Sequence, residues 1–273
     1  MNKTKIEWAD STWNPITGCL HGCDYCYAMR IANRFKGWTS GGEKITFNPY
    51  GNLPELKSPM LLADRSGKVK QAPYPFAFEP TLHRYRLNDF ENKSGRNIFV
   101  CSMADMFGEW VPDSWIESVF DACKKAPQHR YLFLTKNPSR YLRLGEKGKL
   151  PKSENMWYGT TTVGPDSEFF FGDGYNTFAS IEPILSSFTG QINDIENKGL
   201  KWVVLGAETG NRRGKVVPER EWIVDLVLSC RSSGVPVFMK ESLVPVVGEE
   251  YMVREFPWQH EKRTQFGSIK TWH

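Results

Sequence analysis

The chain lacks several features that would assign it to well-defined classes. Its 273 residues contain no run of about 18 apolar residues, so no membrane-spanning helix is predicted. The segment from Met1 to Trp8 lacks the apolar core of a signal peptide. No internal repeat, heptad pattern or low-complexity tail is present, and no Gly-x-Gly-x-x-Gly motif opens a predicted helix. We therefore expect a cytoplasmic protein without a Rossmann-type dinucleotide site, built as a single domain over residues 1–273.

The chain has a small net charge and only six cysteines. The net charge of +4 permits a polyanionic partner but does not require one. Of the six cysteines, three are clustered, whereas Cys101, Cys123 and Cys230 are isolated in predicted strands or helices. This distribution is unlike a disulfide framework and favours a reducing compartment, with burial as the role of the isolated cysteines.

The clustered cysteines carry the most specific chemical signal. Cys19-Leu-His-Gly-Cys23-Asp-Tyr-Cys26 has the spacing C-x3-C-x2-C. Three thiolates on one loop can hold three irons of a cubane cluster and leave the fourth iron open for a substrate or cofactor. Two alternatives are a zinc site, with His21 or a distant histidine as fourth ligand, and a redox pair of Cys23 and Cys26. His21 lies inside the loop, so its ring would not easily close the same tetrahedron.

The rest of the pattern predicts an α/β fold with parallel strands. Short apolar segments alternate with amphipathic helical segments, which is typical of parallel βα units. Strands are predicted at 13–18, 97–103, 131–135, 156–162, 177–182, 201–206 and 236–240, and helices at 27–35, 112–126, 219–232 and from Pro138 onwards. This strand number favours a barrel or partial barrel. Residues from about 36 to 96 are irregular and rich in turn signals, which predicts an insertion or cap.

Polar residues follow nearly every predicted strand. Catalytic groups of parallel barrels cluster at the carboxyl ends of strands, so we expect these residues on the same rim as the cysteine loop. The candidates are Ser102, Asp105, Lys136, Thr160, Thr162, Glu182, Glu208 and Lys240. The glycines beside Glu208 would let a ligand approach the backbone closely. Structural alternatives are ion pairs for the two lysines and turn or loop caps for Asp105 and Glu182.

Two sets of motifs resemble known families. The cysteine spacing, with Tyr25 before the last cysteine, resembles the signature of the radical S-adenosylmethionine (SAM) superfamily. The order of motifs along the chain resembles a family of phage- and prophage-associated three-cysteine proteins that is usually classed with radical SAM enzymes. A more distant resemblance, through the cysteine motif and Lys136, is to spore photoproduct lyase. The motifs of the second resemblance are Trp8-Ala-Asp-Ser-Thr-Trp-Asn-Pro-Ile-Thr-Gly-Cys19, Phe99-Val-Cys-Ser-Met-Ala-Asp-Met-Phe107, Leu132-Phe-Leu-Thr-Lys136, Ser180-Ile-Glu-Pro183, Gly206-Ala-Glu208-Thr-Gly210 and Val237-Phe-Met-Lys240.

The superfamily resemblance implies a partial (β/α)6 TIM-like barrel, a 4Fe–4S cluster on the three clustered cysteines, and SAM at the open iron. It implies that one electron, from a donor such as flavodoxin or ferredoxin, cleaves SAM to methionine and a 5′-deoxyadenosyl radical, which abstracts a substrate hydrogen atom. Tyr25 and the strand-end candidates would then contact SAM. Lys136 would pair with its carboxylate, and Glu182 or Glu208 would accept hydrogen bonds from its ribose hydroxyls or ammonium. A phage-encoded chain would act in the cytoplasm of a bacterial host.

The chain departs from the expected family pattern in two places. The link over residues 163–176 is short and aromatic where a longer helical crossover is expected. The glycine motif reads Gly206-Ala-Glu208 rather than Gly-Gly-Glu. The first departure bears on whether the barrel is fully wound at this point.

The expected substrate is a nucleic-acid base or nucleotide. Basic residues cluster after the cysteine loop, in the predicted insertion and after Glu208, with aromatic residues near them. Such charges hold phosphates while an aromatic ring stacks on a base. The residues are Arg30, Arg34 and Lys36; His83, Arg84 and Arg86; Arg212, Arg213 and Lys215; and Trp38, Phe76 and Tyr85. Two alternatives to an enzyme stay open. One is a non-catalytic zinc- or cluster-binding nucleic-acid protein, and the other is a subunit that presents a partner enzyme.

Overall fold

The computed structural model of the protein describes residues 4–36, 52–63, 67–165, 167–188, 199–210 and 212–262. These residues have a mixed α/β fold with seven strands that run parallel to their sheet neighbours. The chain divides into two compact units, Met1–Pro151 with three of these strands and Lys152–His273 with four. The single domain expected over residues 1–273 stays a prediction.

The first unit contains the strand that leads to the cysteine loop. Its described elements are β1 (Ser11–Trp13), β2 (Ile16–Thr17), α1 (Tyr27–Arg34), β3 (Glu55–Leu56), β4 (Leu61–Ala63), β5 (Val69–Gln71), β6 (Thr81–His83), a 3-10 helix (Arg84–Arg86), β7 (Asn97–Val100), α2 (Asp113–Lys125), β8 (Arg130–Thr135) and α3 (Pro138–Glu146). β1 and β8 flank β7 in parallel, with Trp13 opposite Val100 and Phe99 opposite Leu132.

The core of this unit follows from two apolar patterns, one continuous and one at helical spacing. β7 is buried on both faces because a helix-covered parallel strand has no solvent side, and its Ile98, Phe99 and Val100 are all apolar. α2 buries five side chains at helical spacing, namely Trp115, Ile116, Val119, Phe120 and Cys123. The Phe120 ring of α2 lies 5.4 Å from the Phe133 ring of β8, which joins helix and strand.

The described part of the predicted insertion is tied to the strands before the cysteine loop. β6 pairs antiparallel with β2 and parallel with β3, and β4 pairs with β5. The Trp13 indole Nε1 donates to the Arg86 carbonyl, and the Arg86 guanidinium donates to the carbonyls of Asn14 and Pro73. These contacts make this segment a support for the chain before the cysteines. Trp38 and residues 37–51 lie outside the described residues, so the role as a cap stays a prediction.

The second unit has its own parallel strands and core. Its described elements are β9 (Met156–Thr162), β10 (Asn176–Ile181), β11 (Val203–Leu205), α4 (Arg220–Ser232), β12 (Val237–Met239), a 3-10 helix (Glu241–Leu243), α5 (Val244–Val247) and two 3-10 helices (Glu249–Tyr251 and Pro257–Lys262). The strand order is β9–β10–β11–β12, all parallel. α4 buries Ile223, Leu226, Val227 and Cys230 in the same apolar cluster as β11 and β12.

The predicted elements are confirmed at the level of strands and helices. Each of the seven predicted strands overlaps an observed strand, and the helices predicted at 27–35, 112–126 and 219–232 are observed with no end shifted by more than one residue. The described residues between β9 and β10 contain no helix, in line with the short aromatic link seen in the sequence. There the backbone N–H of Phe170 donates to the Thr160 hydroxyl and the Phe170 ring is buried.

Candidate metal centre and strand-end residues

The start of the cysteine loop is pinned by main-chain contacts on both sides. The Gly18 N–H donates to the Met103 carbonyl at 2.9 Å, and the Cys19 N–H donates to the Phe78 carbonyl at 3.1 Å. Gly18 has φ +89°, and a Cβ there would lie 2.2 Å from the Glu79 carbonyl oxygen. Only a residue without a side chain fits this approach. The loop therefore begins at a fixed point of the first unit.

The end of the loop is the start of α1. Cys26 is the N-cap residue, and its Sγ accepts a hydrogen bond from the Met29 N–H at 3.3 Å. The Cys26 N–H donates to the Cys23 carbonyl at 3.1 Å, which closes a turn between the second and third cysteines. The N-terminus of a helix favours negative charge, so this position suits a thiolate ligand.

The three loop thiols are free and partly exposed. Burial raises the pKa of the Cys19 thiol to about 12; the backbone hydrogen bond at His21 opposes this, and the charges of Asp105, Cys26 and Cys23 add to it. Without a cation to share its charge, Cys19 is therefore a protonated thiol at neutral pH.

Lys136 brings positive charge to the loop from the end of β8. Burial lowers the pKa of Lys136, and the charges of Cys23, Asp105, Cys19 and Cys26 act against this shift. Its ammonium lies 5.3 Å from the centre of the Tyr25 ring, at cation–π distance. The structure thus brings two predicted site residues, Tyr25 and Lys136, to the predicted ligands.

Asp105 links the cysteine loop to the ends of β7 and β8. It is 6 % exposed and accepts hydrogen bonds from the His21 Nε2 (2.8 Å), the Phe107 N–H (3.0 Å), the Thr135 hydroxyl (2.7 Å) and the Lys136 N–H (2.8 Å). The predicted loop-cap alternative for Asp105 is thus observed. The sequence pattern suggests His21 only as a zinc ligand, whereas its partner lies 84 positions away.

Ser102, by contrast, bonds to two other segments of the first unit. Its hydroxyl donates to Asn14 Oδ1 at 3.2 Å, and its carbonyl accepts from the Tyr27 hydroxyl at 2.8 Å. Asn14 Oδ1 also accepts from the Met103 N–H. These bonds fasten α1 and β1 to the chain after β7, and the predicted contact of Ser102 with a cofactor stays a prediction.

The three loop cysteines, with Lys136 beside them, are the residues that would hold an iron–sulfur cluster. Three free cysteines with a lysine beside them fit an iron–sulfur cluster in number and chemistry, because thiolates are the usual ligands of such clusters. In the described residues, no group of three or more His, Cys, Asp or Glu side chains is placed so that it could hold a metal ion. The ligand types therefore fit, while the thiols do not converge on a common point.

In the second unit, the two predicted threonines bond to the main chain. Thr160 accepts from the Phe170 N–H at 3.1 Å, and Thr162 donates to the Gly164 carbonyl at 2.9 Å. Both are buried. Their hydroxyls hold the chain that follows β9, and the cofactor-binding role predicted for them stays a prediction.

Glu182 and Lys240 form an ion pair across the end of β11. The Lys240 ammonium donates to Glu182 Oε1, and Ser180 donates to Glu182 Oε2 at 3.2 Å. A Cβ at Gly206 would lie 2.7 Å from the Glu182 Cγ, so this glycine lets the glutamate side chain pass over the strand end. The structural ion pair stated as the alternative for Lys240 is thus observed. Both side chains are half-buried.

Glu208 is held by an arginine four residues along the chain. The Arg212 Nε and Nη2 donate to its two carboxylate oxygens at 2.6 and 2.7 Å. These hydrogen bonds lower the pKa of Glu208, burial opposes them, and the Arg212 charge adds to them. Each oxygen accepts one hydrogen bond from Arg212, and the hydrogen bonds predicted from a ribose or ammonium stay a prediction. Arg212 is likewise committed within the protein, while Arg213 and Lys215 are exposed.

The predicted basic cluster of the insertion is mainly structural. His83 is fully buried, with Nε2 at 2.9 Å from the Thr17 hydroxyl and Nδ1 at 3.3 Å from the Tyr85 hydroxyl. Burial, with the Arg86 charge, lowers the pKa of His83 to about 3, so its ring is neutral at pH 7. The predicted phosphate contact by His83 is therefore wrong. Arg86 bonds to main-chain carbonyls, and Arg84 pairs with Glu55.

The fold and the loop define an α/β protein of parallel strands with three free cysteines on one short loop. The family model described as "Protein of unknown function (DUF5131)" matches residues 3–244, and the chain belongs to this family. Neither the curated proteins nor the solved structures gave a match. Among the residues that the structure describes, no helix has the length and apolar character needed to cross a membrane.

Proposed function

We propose that the protein is a radical SAM enzyme whose cluster is bound by Cys19, Cys23 and Cys26. The observation that carries this proposal is the cysteine loop itself: three free thiols on one loop, the third at a helix N-terminus, with Lys136 beside them. The parallel strands of the fold are compatible with the partial (β/α)6 barrel that belongs to the proposal.

When bound, a 4Fe–4S cluster supplies the electron, received from a flavodoxin or ferredoxin, that cleaves SAM to methionine and a 5′-deoxyadenosyl radical. The residues of the first unit bind SAM and orient it. The Lys136 ammonium pairs with the SAM carboxylate, and the Tyr25 ring keeps that ammonium over the loop. Burial of Lys136 strengthens this pairing because water screens the charge less there.

The proposed substrate is a nucleic-acid base or nucleotide. Arg30 and Arg34 are exposed on α1, which begins directly after Cys26. The Arg34 guanidinium lies 5.4 Å from the centre of the exposed Phe35 ring, and Tyr27 is exposed on the same helix. Cations beside exposed aromatic rings are the groups that hold phosphates and stack on bases.

One anaerobic experiment with two readouts tests the enzyme proposal. Reconstituted protein is expected to hold about four iron and four sulfide per chain, as one cubane cluster does. Replacing Cys19, Cys23 or Cys26 by Ala abolishes this content, whereas Cys123→Ala and Cys230→Ala, which alter buried cysteines elsewhere, retain it. One zinc per chain without sulfide would instead support the non-catalytic alternative.

The second readout is SAM binding and the formation of 5′-deoxyadenosine after reduction. Lys136→Met is expected to weaken SAM binding by about tenfold to a hundredfold, because hydrogen bonds to charged groups contribute about 1.5–3 kcal/mol. It leaves the iron content unchanged. Lys147→Met is the matched control, since it removes an exposed lysine of the same unit. If SAM neither binds nor perturbs the electron paramagnetic resonance spectrum, the enzyme proposal is wrong.

A further inference from the structure

The cysteine loop is held at three points. Its start is fixed by Gly18 and Cys19 and its end by the N-cap of α1. Between them, His21 extends from the loop to Asp105, with the ring Nε2 at 2.8 Å from a carboxylate oxygen. The ring also meets Trp110 edge-on, with centroids 4.9 Å apart. His21 is therefore the side-chain attachment of the stretch between Cys19 and Cys23.

Asp105 is unusually well fixed for a residue at a strand end. Its carboxylate accepts from its own turn through the Phe107 N–H and from the end of β8 through Thr135 and the Lys136 N–H. Because the carboxylate accepts, His21 donates its Nε2–H to it. Asp105 thus connects the loop to the end of the strand that carries Lys136.

Asp105 is buried, and its carboxylate accepts four hydrogen bonds. A buried carboxylate that is bonded in this way holds its donors in fixed positions, so its role at the loop is a geometric one.

We propose that Asp105, acting through His21, holds the backbone of the cysteine loop between Cys19 and Cys23 in one conformation, so that a cluster binds to a loop that is already ordered. The inference rests on the proposed function for the identity of the cluster, while the loop geometry on which it depends belongs to the metal-free chain. His21 and Asp105 are positioning residues: neither is proposed to ligate iron or to react.

The test compares His21→Leu with His21→Gln. Leucine fills similar space without a donor, whereas the glutamine amide can donate to the carboxylate as the imidazole does. In the reconstituted protein, His21→Leu is expected to release iron to a ferrous chelator about tenfold faster, and His21→Gln is expected to stay within about threefold of the parent; tenfold corresponds to about 1.4 kcal/mol. His129→Leu, which removes a buried histidine bonded to the Phe90 carbonyl, is the control and keeps the parent rate.

The metal-free chain provides a separate readout. Alkylation of Cys23 and Cys26 by iodoacetamide, followed by mass spectrometry, is expected to accelerate in His21→Leu and to return to the parent rate in His21→Gln. The change reflects loop order, so it is expected whether the wild-type chain binds a cluster or zinc. Absence of iron and sulfide from the wild-type protein would overturn the proposed function and leave this readout to decide the positioning role.

A double-mutant cycle separates positioning from general destabilisation. The effects of His21→Leu and Asp105→Asn on the alkylation rate are expected to be less than additive in the double variant, because both substitutions break the same link. Fully additive effects would overturn the proposal. So would a His21→Leu protein with the parent iron release and alkylation rates, or a His21→Gln protein as impaired as His21→Leu, since the latter would give His21 a role that its hydrogen bond does not explain.

Discussion

At the scale of the residue, Gly18 determines how the chain can enter the cysteine loop. Its φ of +89° lies in the left-handed region, and the Glu79 and Pro80 backbone fills the space where a side chain would stand. Gly22, inside the same loop, has φ +69°, but a Cβ there would have open space within 4 Å. The two glycines thus share a backbone conformation and differ in surroundings.

We expect Gly18→Ala to lower the free energy of unfolding by at least about 3 kcal/mol, because strain and a backbone clash add. Gly22→Ala is the matched control and should lower it by only about 1 kcal/mol, the effect of conformation alone. Urea denaturation followed by circular dichroism measures both values. Equal losses in the two variants would contradict the close approach at Gly18.

The position of Lys136 can be predicted from the sequence, whereas the hydrogen-bond partner of His21 cannot. Lys136 directly follows a predicted strand, so its place at the strand end is predictable, and the structure puts its ammonium beside the Tyr25 ring. His21 resembles a zinc ligand in the sequence because it lies among cysteines. Its hydrogen bond to Asp105 depends on the parallel strands that bring residues 84 positions apart together.

At the scale of the element, β6 is anchored to β2 through a neutral histidine. His83 ends β6, and its ring bonds to the Thr17 hydroxyl of β2. Its pKa falls from 6.5 to about 3 because burial and the Arg86 charge both disfavour the imidazolium. Below pH 6.5 the His83 imidazole therefore binds a proton in the unfolded chain but stays neutral in the folded chain until the pH approaches 3.

The sign of the pH effect follows directly. The contribution of His83 to stability is fully present above pH 6.5 and is lost as the pH falls from 6.5 towards 3. Between pH 7 and pH 5 we expect it to remove about 2 kcal/mol from the free energy of unfolding. His83→Gln, which cannot titrate, should show a correspondingly shallower loss when unfolding is measured by urea titration at each pH.

Thr17→Val is the matched control for this measurement. It removes the hydroxyl partner of His83 and lowers stability at every pH, but leaves the titrating ring buried. The wild-type pH dependence should persist in this variant. A His83→Gln protein with the same pH dependence as the wild type would show that another group causes the acid sensitivity.

The buried face of α1 cannot be predicted from the sequence of the helix alone. Its sequence combines Ile31 and Phe35 with two alanines, and the predicted helix is confirmed. The structure buries Ala28 and Ala32 and exposes Ile31 and Phe35 beside Arg30 and Arg34. Small residues face the protein because the helix lies close to the chain at Met103, which shares a buried cluster with them.

At the scale of the whole molecule, the net charge of +4 is modest, so nucleic-acid binding must depend on local clusters. Burial of His83 and the main-chain bonds of Arg86 remove two members of the predicted set. Arg30 and Arg34 remain exposed beside the cysteine loop.

We expect binding of short single- and double-stranded DNA, measured by fluorescence anisotropy, to weaken steeply as salt rises. Arg30→Gln with Arg34→Gln should reduce the slope of log K against log salt by about 1 to 2, because each phosphate contact contributes about 0.7–0.9. Lys124→Gln with Lys125→Gln removes the same charge from the exposed end of α2 and should leave the slope unchanged. Absence of binding at low salt would favour a peptide or small metabolite as substrate.

The amino-acid sequence by itself determined what depends on neighbours along the chain. Short apolar segments located the strands, and apolar residues at helical spacing located the helices, since each element must bury one face or both. The spacing of Cys19, Cys23 and Cys26 fixed three thiols on one loop, and the residues after each strand had to lie at its carboxyl end. These features are local, so no tertiary information was needed to predict them.

Only the tertiary structure decided which polar groups meet. Lys240 pairs with Glu182 across 58 positions, His83 meets Thr17 across 66, and His21 meets Asp105 across 84. Even for Glu208 and Arg212, four residues apart, the structure decides that the glutamate is buried and the arginine only half-buried. Burial decides whether a charge is a contact for ligands or a part of the framework, since an ionised group removed from water must find its partner inside the protein. The burial of a particular charged group depends on how the whole chain packs, so it cannot be predicted from the residue pattern along the sequence.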